Sequence, residues 1–250
     1  MEKLIKALIE EGVAAAAPFK NLAVAAFPYL PKDVHEGNLS LYARGEDYHI
    51  WVKNALERAA KRAGGENWKC YTDVSPFDEV DIAVKAGLGV LGQNRLLITK
   101  EYGSYVFIGI VETDLEYEDR EYEIKHCLMC GACKRSCPAL AIGEKGVDSS
   151  VCLSHITQKR GELNEKETEL IKNHPLIWGC DICQLVCPMN RDVKRAEKDE
   201  IIWELKSEDT EISDRQFRKK YGGFAFSFRG VAPLKRNNRI KGEKQEKISP

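Results

Sequence analysis

The 250-residue chain, with 43% hydrophobic residues, is long enough to bury a core as one large domain or as a domain with a smaller module. Its formal net charge of −1 excludes a global electrostatic attraction to nucleic acid. No run of about 18 apolar residues predicts a membrane span, and the mixed-charge N-terminus has no apolar stretch typical of a secretory signal. We therefore expect a cytoplasmic protein.

Helical and extended patterns alternate in the first half of the chain. Leu4, Ile5, Leu8 and Ile9 recur at helical spacing, and an apolar run that stops at Pro28 is typical of a buried strand. The patterns predict helices over residues 2–13, 47–63 and 75–86 and strands over residues 22–27, 68–72, 95–99 and 105–113. This alternation predicts a mixed α+β or α/β domain over residues 1–120.

The composition changes from about residue 120 onwards. Cysteine, glycine and proline punctuate short elements, and a surface helix is predicted over residues 165–173. After about Arg191 the chain is charged and weakly periodic. We expect a cysteine-rich module at residues 121–195 and a charged, basic C-terminal tail at residues 196–250.

Eight of the nine cysteines lie between Cys127 and Cys187, mostly two or three residues apart. A reducing cytoplasm disfavours disulfides, so this spacing points to metal. The first group, C-x2-C-x2-C-x3-C-P, is the bacterial ferredoxin signature, in which the fourth cysteine binds the neighbouring cluster. The second group has one cysteine fewer, and Cys152 is the candidate to complete it. The sequence thus predicts a ferredoxin-like module with two [4Fe–4S] clusters, one bound by Cys127, Cys130, Cys133 and Cys187, the other by Cys137, Cys152, Cys180 and Cys183.

Zinc is the main alternative metal, because paired CxxC motifs also bind Zn2+. The CxxCxxC triplet followed by Cys-Pro is not usual zinc spacing, which favours the clusters. Cys70 stands apart from both groups, in a predicted strand between Trp68 and Tyr71. We interpret it as a buried small hydrophobic residue.

A glycine-rich run over residues 87–92, GLGVLG, matches the GxGxxG pattern of dinucleotide sites. Such a site requires the run to follow a strand and to open a helix. Here the preceding residues are predicted to be helical and the following ones extended. We interpret the run as a helix-to-strand turn, which would also let a bulky ligand approach the backbone.

Several segments together resemble the epoxyqueuosine reductase family of cobalamin-dependent iron–sulfur enzymes. They are YARGEDYH at residues 42–49, Asp73 fourteen residues before AGLGVLGQN, GSYVFIG at residues 103–109, both cysteine groups with Cys152 between them, GCDICQLVCP at residues 179–188, and FRG followed by PLKRN at residues 228–237. The resemblance covers about residues 19–240.

The resemblance implies that the first domain binds cobalamin and that the clusters deliver electrons to cobalt. It also implies that the reduced cofactor removes the epoxide oxygen of epoxyqueuosine in tRNA. Asp73 matches the position of the family's proton-donating aspartate. The alternative is that Asp73 only caps or orients the helix that follows it.

Further residues in the matching segments are expected to contact the cofactor. Tyr42, Arg44, Tyr48 and His49 offer aromatic faces and cationic donors that suit a corrin ring with amide side chains. Gly103 and Ser104, at the start of the GSYVFIG segment, complete the set. The alternative for the first four is an ordinary loop leading into a helix.

Typical members of this family have a longer segment before the strand at Leu22 and a helical-repeat domain after the region that ends here near Ile240. We therefore expect a short form of the family. Between Asp214 and Pro250, eleven Lys or Arg residues stand against three Asp or Glu. Phe217, Tyr221, Phe224, Phe226 and Phe228 lie among them, so the tail is a candidate for tRNA contact. Packing of these rings onto a core is the alternative.

Three functional hypotheses follow. The first is an epoxyqueuosine reductase-like oxidoreductase that takes single electrons from a ferredoxin or flavodoxin. The second is a related corrinoid reductase that acts on a small molecule such as a halogenated compound. The third is an electron carrier without substrate chemistry, for which substitution of Asp73 would leave activity intact.

Overall fold

The computed structural model describes residues 1–64, 67–115, 123–144, 146–197 and 201–246. They form two compact units, of which the first comprises residues 1–32, 48–131 and 187–197, and the second residues 33–47, 132–186 and 198–250, within the described ranges. The two units interleave along the sequence. The division into three functional segments, residues 1–120, 121–195 and 196–250, stays a prediction. The predicted boundary at residue 120 and the end of the basic tail at residues 247–250 lie outside the described residues.

The first unit mixes helices with antiparallel strands. In chain order its elements are α1 (Glu2–Glu10), β1 (Ala15–Phe19), β2 (Leu22–Pro28), α2 (Tyr48–Ala63), β3 (Trp68–Tyr71), α3 (Glu79–Lys85), β4 (Val90–Leu91), β5 (Leu97–Ile98) and β6 (Val106–Thr113). One sheet has the strand order β1-β2-β6-β3, and β4 pairs with β5. All these pairings are antiparallel. The mixed α and β class is confirmed, in an arrangement typical of α+β domains.

β2 is buried along its whole length because both faces of the sheet are covered. Ala25 and Phe27 pack with α1 and α2, whereas Val24 and Ala26 pack with α3 and β5 on the opposite face. This alternation is the period of two expected of a strand. It explains why an entirely apolar run, LAVAAFP, forms a strand at the centre of the unit.

The structure differs from the predicted elements at three places near the sheet and its helices. The edge strand β1 was not predicted, because its sequence AAAPF contains Pro18, which only an edge strand tolerates. α1 is shorter than predicted and ends at Glu10, before Gly12 with its positive φ of 77°. α3 begins at Glu79 rather than at Ser75, because the Asp78 carboxylate caps it by accepting the Asp81 N–H at 3.0 Å.

The glycine-rich run over residues 87–92 begins with the turn that follows α3 and includes β4, so its first part forms the predicted helix-to-strand turn. Cys70 lies in β3, half-buried against the core formed with α1 and α2. Burial raises the pKa of its thiol to about 12. Both observations agree with structural roles for these segments.

The second unit is helical in its described part. Its helices are α4 (Ala132–Ser136), α5 (Leu153–Gln158), α6 (Glu165–Asn173), α7 (Ile182–Leu185), α8 (Ser207–Thr210), α9 (Asp214–Tyr221) and α10 (Val231–Glu246). α6 matches the predicted surface helix and starts with a capping box between Asn164 and Glu167. Among all described residues, no helix is both long enough and apolar enough to cross a membrane.

The C-terminal segment is folded from residue 207 to residue 246 rather than extended as a tail. Phe217, Tyr221 and Phe226 are buried and contact one another through their rings. Arg236 donates hydrogen bonds to the carbonyl oxygens of Lys159 and of Gly161. Much of the predicted basic and aromatic character therefore serves the packing of the second unit.

Candidate metal centres and active-site cleft

The second unit contains five of the eight clustered cysteines, and four of these are the ones assigned to one cluster. Cys137 follows α4, Cys152 directly precedes α5, and Cys180 and Cys183 lie at the start of α7. Cys137 and Cys180 pack against the same small apolar cluster. Burial raises the pKa of Cys180 to about 12, and the nearby thiols of Cys183 and Cys152 add to the rise. Since such charge effects act over short distances, the structure brings together the four cysteines assigned to one cluster.

Three cysteines of the other set lie in the first unit. Burial raises the pKa of Cys187, and the neighbouring thiols of Cys127 and Cys130 raise it further. The backbone N–H of Cys127 donates to the Leu91 carbonyl at 3.0 Å, which attaches this loop to β4. Cys133, the fourth cysteine assigned to the set, belongs to α4 of the second unit.

The thiols of both sets are available as metal ligands, because none of the nine cysteines, all of which lie within the described residues, forms a disulfide. Within the described part of the chain, no three His, Cys, Asp or Glu side chains form a group that could hold one metal ion. A [4Fe–4S] cluster instead spreads its four thiolates over four iron atoms. Burial raises the pKa of Cys180 and of Cys187, so the positive charge of a bound metal would favour their thiolate forms.

A buried carboxylate anchors the loop that carries Cys180. Asp181 is 4% exposed and accepts hydrogen bonds from the Ser40 hydroxyl at 2.5 Å and from the Leu41 N–H at 2.9 Å. Gly179 has a φ of 76°, and a Cβ atom there would lie 2.3 Å from the Ser40 Cβ. Only glycine therefore fits at this position.

Tyr42 and Arg44 lie in the second unit, within the same anchored segment. The Tyr42 hydroxyl accepts a hydrogen bond from Gln158 at 2.9 Å. Arg44 is 5% exposed, and its guanidinium donates to the carbonyl oxygens of Leu39 at 2.7 Å and His35 at 2.9 Å. These bonds give Arg44 a structural role, and its contact with a cofactor stays a prediction.

The other predicted cofactor and catalytic residues lie in the first unit, around or beside an open cleft of about 170 Å3. Apolar side chains form most of its wall, and carboxylates and hydroxyls from separate elements face it. The lining consists of Tyr48, Thr72, Asp73, Glu79, Val80, Leu96, Leu97, Ser104, Val106, Phe107 and Ile108.

Asp73 lies in the loop between β3 and α3, with an unusual positive φ of 62°. Its Oδ2 accepts a hydrogen bond from the Tyr48 hydroxyl at 2.9 Å and lies 3.2 Å from His49 Nε2. The side chain is 61% exposed. The bond with His49, assisted by that from Tyr48, holds the pKa of Asp73 below its ordinary value against the effect of burial. Asp73 is thus an accessible carboxylate in this state.

The first turn of α2 provides an aromatic wall next to Asp73. The Tyr48 ring stacks on Phe107 of β6 with a centroid distance of 4.1 Å and an interplanar angle of 9°. His49 stacks against Tyr48, also at 4.1 Å. The stacking restricts the rotation of Tyr48 and His49, so their polar atoms stay directed at the Asp73 carboxylate.

Glu79, the first residue of α3, adds a second carboxyl group to the cleft. Its Oε2 accepts the backbone N–H of Asp73 at 3.0 Å. Its Oε1 is buried and accepts no hydrogen bond within the described residues. Burial raises the pKa of Glu79 above its ordinary value, while hydrogen bonds from Ser75 and from the Asp73 amide oppose the rise.

Gly103 and Ser104 meet the segment that follows Cys187. The Ser104 N–H donates to Asn190 Oδ1 at 2.9 Å, and Asn190 Nδ2 donates to Ser104 Oγ at 2.8 Å. A Cβ atom at Gly103, whose φ is 57°, would lie 2.3 Å from Asn190 Oδ1. This pair of hydrogen bonds joins the wall of the cleft to the segment that follows Cys187, a predicted cluster ligand.

Sequence reasoning identified Asp73, Tyr48 and His49 but missed Glu79 and Asn190. Glu79 had been assigned to the interior of a predicted helix, where a surface glutamate attracts no attention. Asn190 follows Cys-Pro-Met directly. Its position three residues after a cluster cysteine was the only available signal.

Comparison with known proteins agrees with this arrangement. The family model for epoxyqueuosine reductase QueG, DUF1730, matches residues 16–74, and the model for a 4Fe-4S double cluster binding domain matches residues 126–190. The epoxyqueuosine reductase of Lactococcus garvieae is 35% identical over 216 residues, which cover 82% of this chain and 61% of that protein. The chain thus spans about three fifths of the length of this relative.

Solved structures show the same relationship. The epoxyqueuosine reductase of Streptococcus thermophilus has a TM-score of 0.77 at 30% identity, covering 88% of this chain and 63% of that one. An epoxyqueuosine reductase crystallised with an epoxyqueuosine-modified tRNA stem loop shares the fold, with a TM-score of 0.82 at 21% identity over 96% of this chain and 80% of that one. From its motifs, its matched relatives and its fold, the chain belongs to the epoxyqueuosine reductase family.

Proposed function

We propose that this protein is a cobalamin- and iron–sulfur-dependent reductase that converts epoxyqueuosine to queuosine in tRNA. The observation that carries the proposal is the Asp73 carboxylate, held by Tyr48 and His49 at an open cleft. The same chain has eight cysteines in two ligand sets for clusters. Membership of the family supports this reaction, and the tRNA-bound relative supports this substrate.

The lining of the cleft fits one edge of a corrin ring. Tyr48 and Phe107 offer apolar faces, and Thr72 and Ser104 offer hydroxyl groups suited to the amide side chains of the macrocycle. A volume of about 170 Å3 is smaller than a whole corrin, so most of the ring would lie beyond the open mouth. When bound, cobalamin would supply the reducing cobalt centre of the reaction.

The overall conversion fixes what the protein must deliver. Turning an epoxide into an alkene releases one oxygen atom as water and consumes two electrons and two protons. Iron–sulfur clusters pass electrons singly, so two clusters match a two-electron reduction. Side chains at the cleft are placed to deliver a proton to the departing oxygen.

Asp73 is the candidate proton donor to the departing oxygen. Because His49 and Tyr48 lower its pKa, it rests as a carboxylate and has to gain a proton before it can act. A substrate that excludes water from the exposed Asp73 side chain would raise this pKa towards the working pH. His49 Nε2, 3.2 Å from Asp73 Oδ2, is placed to pass protons to it.

The folded C-terminal segment offers a small basic surface for RNA. Arg215 and Lys219 are exposed and lie four residues apart, on one face of α9. Exposed Arg229, whose guanidinium lies 4.5 Å from the centroid of the Phe228 ring, adds a stacking group for a base. Replacing Arg215 and Lys219 by glutamate should weaken binding of a tRNA stem loop and reduce its salt dependence. Unchanged affinity would place the RNA contact elsewhere.

Single-electron chemistry also indicates the class of protein that donates the electrons. We infer a ferredoxin or flavodoxin as donor, because both deliver electrons one at a time. Nine cysteines without a disulfide suit the reducing cytoplasm, where we place the reaction. Anaerobic reduction of the clusters by a purified ferredoxin or flavodoxin, followed by absorbance, tests this step.

The decisive experiment is anaerobic turnover of an epoxyqueuosine-containing RNA stem loop by the cluster- and cobalamin-reconstituted protein. Asp73→Asn should abolish product formation while iron content and the EPR signal of bound cobalt remain. Asp33→Asn, at an exposed position of the second unit, is the matched control and should retain activity. Cobalamin binding without turnover of this RNA would favour a small-molecule substrate. Intact clusters without cobalamin binding would leave an electron carrier.

A further inference from the structure

We propose that Glu79 is a positioning residue for Asp73, whose backbone it holds through Glu79 Oε2 so that the Asp73 carboxylate faces the cleft. The proposal rests on the proposed function for its consequence in catalysis. Its structural content concerns only the side chains and backbone of the first unit.

The backbone of Asp73 needs such a support. With a φ of 62°, Asp73 has a left-handed backbone conformation that residues other than glycine rarely adopt. Conformations of this kind persist only where the surroundings hold them. Within this loop, Val74 is 79% exposed, and its N–H donates to the Thr72 carbonyl at 2.7 Å across Asp73.

Three groups restrain Asp73 from different directions. On its N-terminal side, Thr72 is buried and its hydroxyl donates to the Ile108 carbonyl at 2.9 Å. Tyr48 and His49 hold the carboxylate. Glu79 Oε2 holds the backbone N–H of Asp73 itself, at 3.0 Å. Of these side chains, Glu79 is the one that binds the backbone of Asp73 itself.

Glu79 is itself well placed for this task. It is the first residue of α3, whose start is fixed by the Asp78 cap. Its Oε1 is buried without a hydrogen bond in the described part of the chain. A buried oxygen without a hydrogen bond is unfavourable. The Asp73 N–H and Ser75, which both stabilise the Glu79 carboxylate, therefore determine together with packing where the carboxyl lies. Asp73 and Glu79 also have opposite pKa shifts, a pattern found where neighbouring carboxyls have different roles.

Hydrogen exchange tests the contact without any cofactor or substrate. In the cluster-reconstituted protein, Glu79→Ala should speed exchange of the Asp73 amide by about 10–100-fold, as expected for loss of a hydrogen bond to a charged group. Glu79→Gln should preserve protection, because an amide oxygen also accepts the N–H. Glu57→Ala, on α2 of the same unit, controls for loss of a glutamate. Unchanged Asp73 exchange in Glu79→Ala would overturn the proposal.

Turnover then tests the consequence for catalysis. Glu79→Ala should lower kcat by about 10–100-fold with little change in KM, because small misplacements of a catalytic group have effects of this size. Glu79→Gln should recover most of kcat. Equal loss in both variants would mean that the charge of Glu79 matters rather than its contact, and would refute positioning. If the wild type shows no turnover while amide exchange behaves as expected, the proposed reaction fails and the structural contact stands.

Discussion

Substitution of Gly179 by alanine should be among the most damaging single-methyl changes in the second unit. The new Cβ would lie 2.3 Å from the Ser40 Cβ and 2.9 Å from its Oγ, so Ser40 must move. A left-handed non-glycine residue costs about 1–2 kcal/mol, and loss of the Ser40 bond to the buried Asp181 carboxylate costs about 1.5–3 kcal/mol. Together we expect a destabilisation of about 2.5–5 kcal/mol.

Gly161→Ala is the matched control. Gly161 has a φ of 81° in the same unit, but no atom lies within 4 Å of the added Cβ. Only the conformational cost of about 1–2 kcal/mol applies there. Anaerobic thermal unfolding of both cluster-reconstituted variants, with iron content measured alongside, provides the comparison. If Gly179→Ala unfolds no earlier than Gly161→Ala and keeps its iron, the contact between Gly179 and Ser40 does not matter in the way we argue.

Three further outcomes are expected. Cys70→Ser should leave the iron content of the reconstituted protein unchanged, because Cys70 packs in β3 against the core of the first unit and belongs to neither predicted ligand set, and loss of iron would contradict this. Burial lowers the pKa of His174 to about 4. The resulting stabilisation, on the order of 3 kcal/mol, is present above pH 6.5 and is lost as the pH falls towards 4. In urea unfolding at a series of pH values, His174→Gln should remove this pH dependence. Ion pairs with Arg239 and Lys235 lower the pKa of Glu211 to about 2, so their contribution is lost as the pH falls from 4.5 towards 2, and Glu211→Gln should remove that dependence.

The sequence predicted those elements whose local pattern alone decides the structure. β2 is an apolar run that reaches both faces of a covered sheet, and α6 has a capping box within its own sequence. The two interleaved units were not predictable in this way. They depend on which distant segments pack together, as when residues 187–197 join the first unit far from its other stretches.

The basic C-terminal segment shows the same limitation from the side of composition. Eleven basic residues and five aromatic rings suggested an RNA-binding tail. In the structure, Phe217 and Phe226 are fully buried. Lys220 forms an ion pair with Asp209, and the hydroxyl of Tyr221, twelve residues after Asp209, donates to the same carboxylate. Composition cannot distinguish a basic binding surface from cations that are neutralised by acidic residues of neighbouring helices.

In the candidate site, too, some residues could be predicted from sequence patterns and others could not. Spacing predicts how the cysteines divide between two ligand sets, because thiolates on tight loops are limited by their own chain geometry, and this assignment stays a prediction. Asp73 was found only through resemblance, since one aspartate in a loop carries no signal of its own. Glu79 and Asn190 were missed because their partners are backbone groups of Asp73 and Ser104, and no side-chain pattern records a backbone contact.

The contacts of Asn190 suggest why the segment after Cys187 belongs to the first unit. Pro188–Asn190 forms a short 3-10 helix directly after this cysteine, and Asn190 makes two hydrogen bonds to Ser104 at the wall of the cleft. Lys194 pairs with Glu101 a few residues further on. A single short segment thus carries Cys187, a predicted cluster ligand, and contacts the wall of the cleft. Such a connection would keep the predicted ligand loop in a constant position relative to the cleft.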